Sequence, residues 1–285
     1  MSAARAIGLL LGAAADGVIN QPARPADILR GKPGTGIAAG LVVAGVAAER
    51  LTRHRPVAQA LSTAVATWAV LGAASLASDG TALARDLEEG ELDAARGTLS
   101  ELDPRCTEGL DVVGLSRASV ESVAQQTNDA VVGPMFWGAV AGVPGLVGAR
   151  ALSALRDLRQ AARLADVINL VPTRFAAALT VTSAPVVGGS ASGAYRAWQR
   201  DTAAHPSPNA GRVEAAFAGA LEIRLGGRTV YPHGVLELPV LGDGRNPDAG
   251  HVTRAVELSR VVGWLTAVSS ALLALLFGRR RKQRR

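Results

Sequence analysis

Uncharged stretches recur along the chain at lengths that set its class. Residues 56–78, PVAQALSTAVATWAVLGAASLAS, carry no charge. Residues 130–149 lie uncharged between Asp129 and Arg150, 175–195 between Arg174 and Arg196, and 261–278 between Arg260 and Arg279. About 20 apolar residues in a helix cross the roughly 30 Å hydrocarbon core of a bilayer, so each of these runs predicts a transmembrane helix. Two shorter stretches, 6–19 and 33–48, are weaker candidate spans, and the first contains Asp16. Four such runs are hard to bury in a soluble chain of 285 residues. The expected fold class is therefore all-α, a polytopic integral membrane helical bundle. One membrane domain is expected over 1–285, with two polar loop regions at 79–129 and 196–260. The opening MSAARAIGLLLGAAA has features of a signal peptide, but the spans that follow favour a first transmembrane or re-entrant segment.

The polar regions carry their own periodicity. Region one opens with DLEEGELDAARGTLSELDP (86–104), a pair of short helices broken at Pro104. It closes with SRASVESVAQQTND (116–129), a helix running into the span at 130. Arg117, Glu121, Gln125 and Asp129 recur every four residues and share one face. That face is either the solvated side of an amphipathic helix or a functional one, because Asp129 abuts the membrane. The connector 150–174 carries five Arg and reads as a cytoplasmic loop. Region two holds HPSPNAG (205–211), then RVEAAFAGALEIRLGG (212–227), read as helix, then a Gly/Pro-rich stretch at 228–250.

Charge changes the picture at one end. The net charge is +6, and six of the last seven residues are basic. Basic residues beside a span favour the cytoplasmic side, so the expected location is the cell membrane with the C-terminus inside. Anionic lipid explains the tail more simply than nucleic acid does. Cys106 is the sole cysteine, which excludes an intrachain disulfide and a Cys-based zinc site. The four histidines are too scattered to predict a metal site by spacing. GKPGTG (31–36) has phosphate-loop residue types in the wrong order and reads as a turn. GGSASG (188–193) falls inside an apolar span and is poor grounds for a dinucleotide loop. Only Asp16 lies within an expected span, so no polar transport path is evident.

HPSPNAG is the chemically dense segment. Ser207 can cap a helix with Pro208 at its first position. Amides at such a terminus favour an anion, flanked here by His205 and Asn209. Beyond it Glu214, Ala218 and Glu222 form one row and Val213, Phe217 and Leu221 an apolar one, with Arg224 in the last turn. The plainer alternative is a proline-ended loop with a routine cap.

Two blocks, LSRASVESVAQQTNDAVVGPMFW (115–137) and HPSPNAGRVEAAFAGALEIRLGG (205–227), resemble the adenosylcobinamide-phosphate synthase (CobD/CbiB) family. The likeness extends through ELDPRCTEGLD (101–111), ARLADVINLVPTR (162–174) and LGDGR (241–245). It implies a multi-pass membrane enzyme of cobalamin (vitamin B12) biosynthesis, an ATP-dependent amide-forming ligase. Such a ligase converts adenosylcobyric acid to adenosylcobinamide (phosphate) by amidating a propionate with an aminopropanol or its phosphate. The resemblance implies ATP and Mg²⁺ and no permanently bound cofactor. It implies as partners the corrinoid, the amine, the lipid bilayer and other corrin-pathway membrane enzymes, and no nucleic acid. On that chemistry His205, Glu214 and Asp129 are the catalytic candidates. Ser207, Asn209, Arg224 and Thr127 are the substrate- or phosphate-binding candidates, and Glu121 and Asp129 the Mg²⁺ ligands.

The chain departs from the family pattern in four places. Residues 16–27 keep only Asp16 and scattered prolines of an N-terminal element. Cys106 stands within Arg105-Cys106-Thr107 where an aspartate is usual. Gln125-Gln126-Thr127-Asn128-Asp129-Ala130 has one carboxylate fewer, and 150–166 lacks a loop. These leave open a catalytically inactive sensor or scaffold paralogue. With single crossings and an inside C-terminus both polar regions fall outside, whereas ATP chemistry belongs inside. One re-entrant helix, for example 212–226, reverses that parity.

Overall fold

The computed structural model describes residues 2–19, 34–156, 158–207, 209–232 and 234–283. Residues 31–33 of the expected turn, 20–27 of the proline-rich segment, Pro208, His233 and the end of the basic tail lie outside the described residues. The fold class is the expected one: an all-α membrane protein with one small β-hairpin. Among the described residues, four helical segments are long and apolar enough to cross a membrane: Thr35–Thr52, Pro56–Glu89, Gln160–Val187 and Ala249–Phe277. The chain divides into two compact units, each assembled from segments distant in sequence.

The first unit takes in residues 1–75, 129–172 and 263–285. Its helices are α1 (Ser2–Val18), α2 (Gly34–Thr52), α3 (Pro56–Val70), α7 (Gly133–Ala141) and α8 (Val143–Ala154). The start of α9 (Arg159–Ser183) and the end of α12 (Ala249–Gln283) complete it. α1 lies against α3 at Gly8 and Gly12, where an added Cβ would overlap Thr63 and Thr67 respectively. This is the small-xxx-small contact that lets membrane helices approach closely. Leu9, Leu71, Met135 and Leu146 are the largest side chains of its core. Glu49 ties three helices to its own: it binds Arg5 at 2.6 Å, Gln59 at 3.1 Å and the Val143 amide at 3.2 Å. The buried Asp16 carboxylate accepts from the Ala74 amide at the start of α4 (Ala73–Glu89).

The stretch 130–149 is not one spanning helix. A π-turn (Thr127–Val132) leads into α7, Gly142 breaks the chain at φ 76°, and α8 packs back on α7. At about 1.5 Å per residue, the uncharged helical run up to that break, residues 130–141, is roughly 18 Å long, short of the roughly 30 Å of a crossing. Most of the connector is helical rather than a loop: 150–154 close α8 and 159–174 open α9, which carries the apolar segment of α9 toward the N-terminus relative to 175–195. GGSASG marks the break between that segment and α10 (Ala191–Asp201), with Ser190 capping α10 through the Gly193 amide.

The second unit takes in residues 76–128 and 173–262. It holds most of α4, then α5 (Leu92–Leu102), α6 (Val112–Gln126), the end of α9, α10, α11 (Ala210–Leu221) and the start of α12. The stretch 212–227 is only partly helical. α11 stops at Leu221, Glu222 takes the left-handed conformation at φ 57°, and β1 (Leu225–Tyr231) pairs antiparallel with β2 (Gly234–Leu241). α11 is buried on every side, as an Ala/Gly-rich helix can be, and its small residues admit α10 to near backbone contact. On the face of Arg117, Glu121 and Gln125 on α6, Glu121 is buried and the other two are half-buried. The π-turn then interrupts the four-residue spacing before Asp129 is reached.

Candidate active site

Two polar clusters are buried in the second unit. In the first, Asp111 caps α6 through the Gly114 amide, which fixes the helix that presents Glu121. Arg105 binds Glu121 Oε2 at 2.5 Å and Asp103 Oδ2 at 2.8 Å. The Ser122 hydroxyl donates to Asp103, and the Gly226 amide donates to Glu121 Oε1 at 2.7 Å. Both oxygens of Glu121 are therefore engaged. Desolvation opposes the charge on Arg105, but the two carboxylates outweigh it and raise the Arg105 pKa further. This ion network, in which the Glu121 and Asp103 carboxylates are fully engaged while Arg105 Nε has no partner among the described residues, joins the chain before α6 to the start of β1.

The second cluster is unsaturated. The ring of His205 rests on Gly211, where an added Cβ would overlap the histidine side chain, so only glycine fits there. His205 Nδ1 lies 2.8 Å from the Ser207 carbonyl and 3.1 Å from the Ser207 amide. The first contact calls for a proton on Nδ1 and the second for a lone pair there, so the two belong to opposite tautomers of the ring. Nε2 is buried, has no hydrogen-bond partner among the described residues and lies 3.7 Å from Glu214 Oε2. That gap is too long for a hydrogen bond. Glu214 Oε1 accepts from Gln125 Nε2 at 2.5 Å. Burial, and then the nearby Glu121 charge, push the Glu214 pKa up to about 8. An acid that holds its proton near neutrality beside an unpartnered imidazole nitrogen is equipped for proton transfer.

His205 also borders a cavity of about 390 Å³, walled further by Arg174, Arg212, Trp198, Gln199 and Thr202. Burial, and then the like charge of Arg174, lower the Arg212 pKa. Arg212 donates to Thr173 at 3.4 Å, and Thr173 donates to Asn209 Oδ1 at 3.2 Å.

The structure thus gathers His205, Glu214 and Asn209 but not the whole expected set. Ser207 is not the N-cap, a position held by Asn209. Its hydroxyl and carbonyl take the Ala210 and Gly211 amides, so those two are unavailable to an anion. Arg224 lies beyond the helix and is exposed. Thr127 is fully buried, its hydroxyl bonded to Val123 and Ser259. Asp129 belongs to the first unit and binds Arg156 at 2.5 Å. Sequence reasoning missed Arg105, Asp103, Arg212 and Arg174. The one visible signal was Arg212, a lone cation at the start of an Ala-rich helix.

Fold and site together describe an integral membrane protein with a buried histidine–acid pair beside a cationic cavity. The family model for CobD/Cbib protein matches residues 5–158 and 159–259. The chain is 44% identical to the cobalamin biosynthesis protein CobD of Mycobacterium tuberculosis, over 98% of this chain and 97% of that protein. It is 37% identical to the protein of that name from Chromobacterium violaceum, over 73% of this chain and 69% of the relative. For Rhodobacter capsulatus the figures are 33%, 69% and 65%. No solved structure matches the chain. The chain belongs to the CobD/CbiB family.

Proposed function

We propose that this protein of cobalamin biosynthesis is the membrane ligase that amidates a propionate of adenosylcobyric acid with aminopropanol or its phosphate. The observation that carries the reading is the buried His205–Glu214 pair beside a cationic cavity. An amine is protonated near neutrality and must lose a proton before it attacks. Ionised Glu214 takes that proton, and its raised pKa brings it closer to that of an alkylammonium. Attack on the activated carboxyl carbon forms the C–N bond and expels the leaving group. The nitrogen then sheds a second proton, which the His205 ring accepts. Activation by phosphoryl transfer from ATP supplies the leaving group as phosphate.

Mg²⁺ is a poor fit to the expected ligands. Glu121 has both oxygens engaged, and among the described residues no three His, Cys, Asp or Glu gather as a metal site. No step here is routed through a metal. The test uses the full chain in lipid nanodiscs with adenosylcobyric acid, aminopropanol phosphate and MgATP, with product followed by mass spectrometry. Formation of adenosylcobinamide phosphate that is lost in His205→Ala supports the reading. A folded wild-type protein that makes no product, alongside an active family member, contradicts it and favours the sensor or scaffold.

A further inference from the structure

We infer that the cavity walled by Arg174, Arg212 and His205 is a phosphate seat, holding the terminal phosphate of a substrate next to Glu214. Three observations converge. Among the described residues, no acidic side chain lines the cavity. Arg212 is only 9% exposed and pairs with no carboxylate among those residues; it donates instead to the neutral hydroxyl of Thr173. A buried guanidinium without a counter-charge is costly, and Arg174 adds a second positive charge nearby. An anion bound in the cavity relieves both. Independently, His205, itself only 9% exposed, lines the same cavity. The volume is on the scale of small-ligand sites. Arg174 also lies within the apolar stretch Gln160–Val187, where an ionisable residue is retained for a polar task.

Arginine suits this ligand because its planar fork matches the oxygens of a phosphomonoester. Placing the phosphate here sets a short phosphorylated amine with its nitrogen toward Glu214, since His205 touches both places. The seat replaces the helix N-terminus and Arg224 as the source of phosphate contacts. It rests on the ligase reading for the identity of its substrate, but its chemistry fits the phosphate of the amine or the terminal phosphate of ATP.

The test is binding, measured by calorimetry on the full chain in nanodiscs with aminopropanol phosphate, unphosphorylated aminopropanol and ATP as probes. Arg212→Gln and Arg174→Gln are compared with Arg228→Gln on the exposed strand, and thermal unfolding verifies folding. Arg212→Lys provides a second variant that keeps the charge and loses the fork. Aminopropanol phosphate is expected to weaken roughly tenfold or more in Arg212→Gln, with aminopropanol unchanged and Arg228→Gln like wild type. If ATP weakens and aminopropanol phosphate does not, the seat stands and holds the nucleotide. If neither phosphorylated probe changes more than about twofold in either arginine variant, the seat is overturned, whatever the turnover. Conversely, weakened binding by a protein that forms no product keeps the seat and rejects the ligase.

Discussion

Glu121 on α6 and Glu214 on α11 are acids buried in the same unit, 1% and 3% exposed, and their surroundings are opposite. Glu121 has a cation and an amide on its two oxygens. Glu214 has one neutral amide donor and a histidine nitrogen beyond bonding distance. The first arrangement consumes its hydrogen-bonding capacity in holding β1 and the chain before α6 to the helix. The second leaves a proton to give or take and a nitrogen to receive one. Burial alone therefore does not mark a reactive acid; lack of saturation does.

The sharpest way to break the comparison is to remove the proton from one acid. Glu214→Gln keeps shape and burial, and turnover is expected to fall about 10²–10⁴-fold, the usual worth of a positioned acid or base. Its melting temperature should stay near or above that of the wild type. Arg105→Ala has the converse profile. It strands Glu121 and Asp103 without their cation and is expected to cost about 3–5 kcal/mol of stability, read by denaturant unfolding in detergent. Should Arg105→Ala leave stability untouched, the Arg105 ion network is not structural.

Gly211→Ala probes the contact between α11 and the histidine. The added Cβ has no room against His205, so overpacking of about 1–3 kcal/mol is expected. Turnover falls with it as the ring is displaced.

The smallest effect is on pH dependence. Glu214 holds its proton to about 8 in the fold against an ordinary value of 4.5. Between these values the folded state binds more protons than the unfolded state, so stability falls as pH rises across the window. Melting curves from pH 5 to 8.5 should show that decline in the wild type, and its absence in Glu214→Gln.

How much of this was legible in the sequence differs by region. The uncharged run at 261–278 could be read because length without charge has few explanations other than a bilayer, whereas the run at 56–78 is divided at Leu71 between α3 and α4. The hairpin at 130–149 could not, since hydropathy does not separate one long helix from two short ones. The break is written only in Gly142 and the proline at 144. The close approach of α1 and α3 has a sequence signal in Gly8-x-x-x-Gly12, but that spacing alone does not say which helix it faces. HPSPNAG stands out through its residue types and its resemblance, and His205 and Glu214 are together. Their partners are hidden because the contacts are distant in sequence: Gln125 reaches Glu214 across 89 residues and Arg105 reaches Glu121 across 16. Gln125 lies in the element where the resemblance expects one more carboxylate, and its amide donates to Glu214. The reactive acid therefore has a neutral donor beside it from that element.

The most direct measurement is the pH dependence of single-turnover amide formation in nanodiscs, wild type against Glu214→Gln. The rate in the wild type should rise through an apparent pKa near 8, the value burial gives Glu214, and the variant should be slow and lack that rise. An unchanged pH profile in Glu214→Gln would contradict the assignment of Glu214 as the base and, with it, the division between the saturated and the reactive acid.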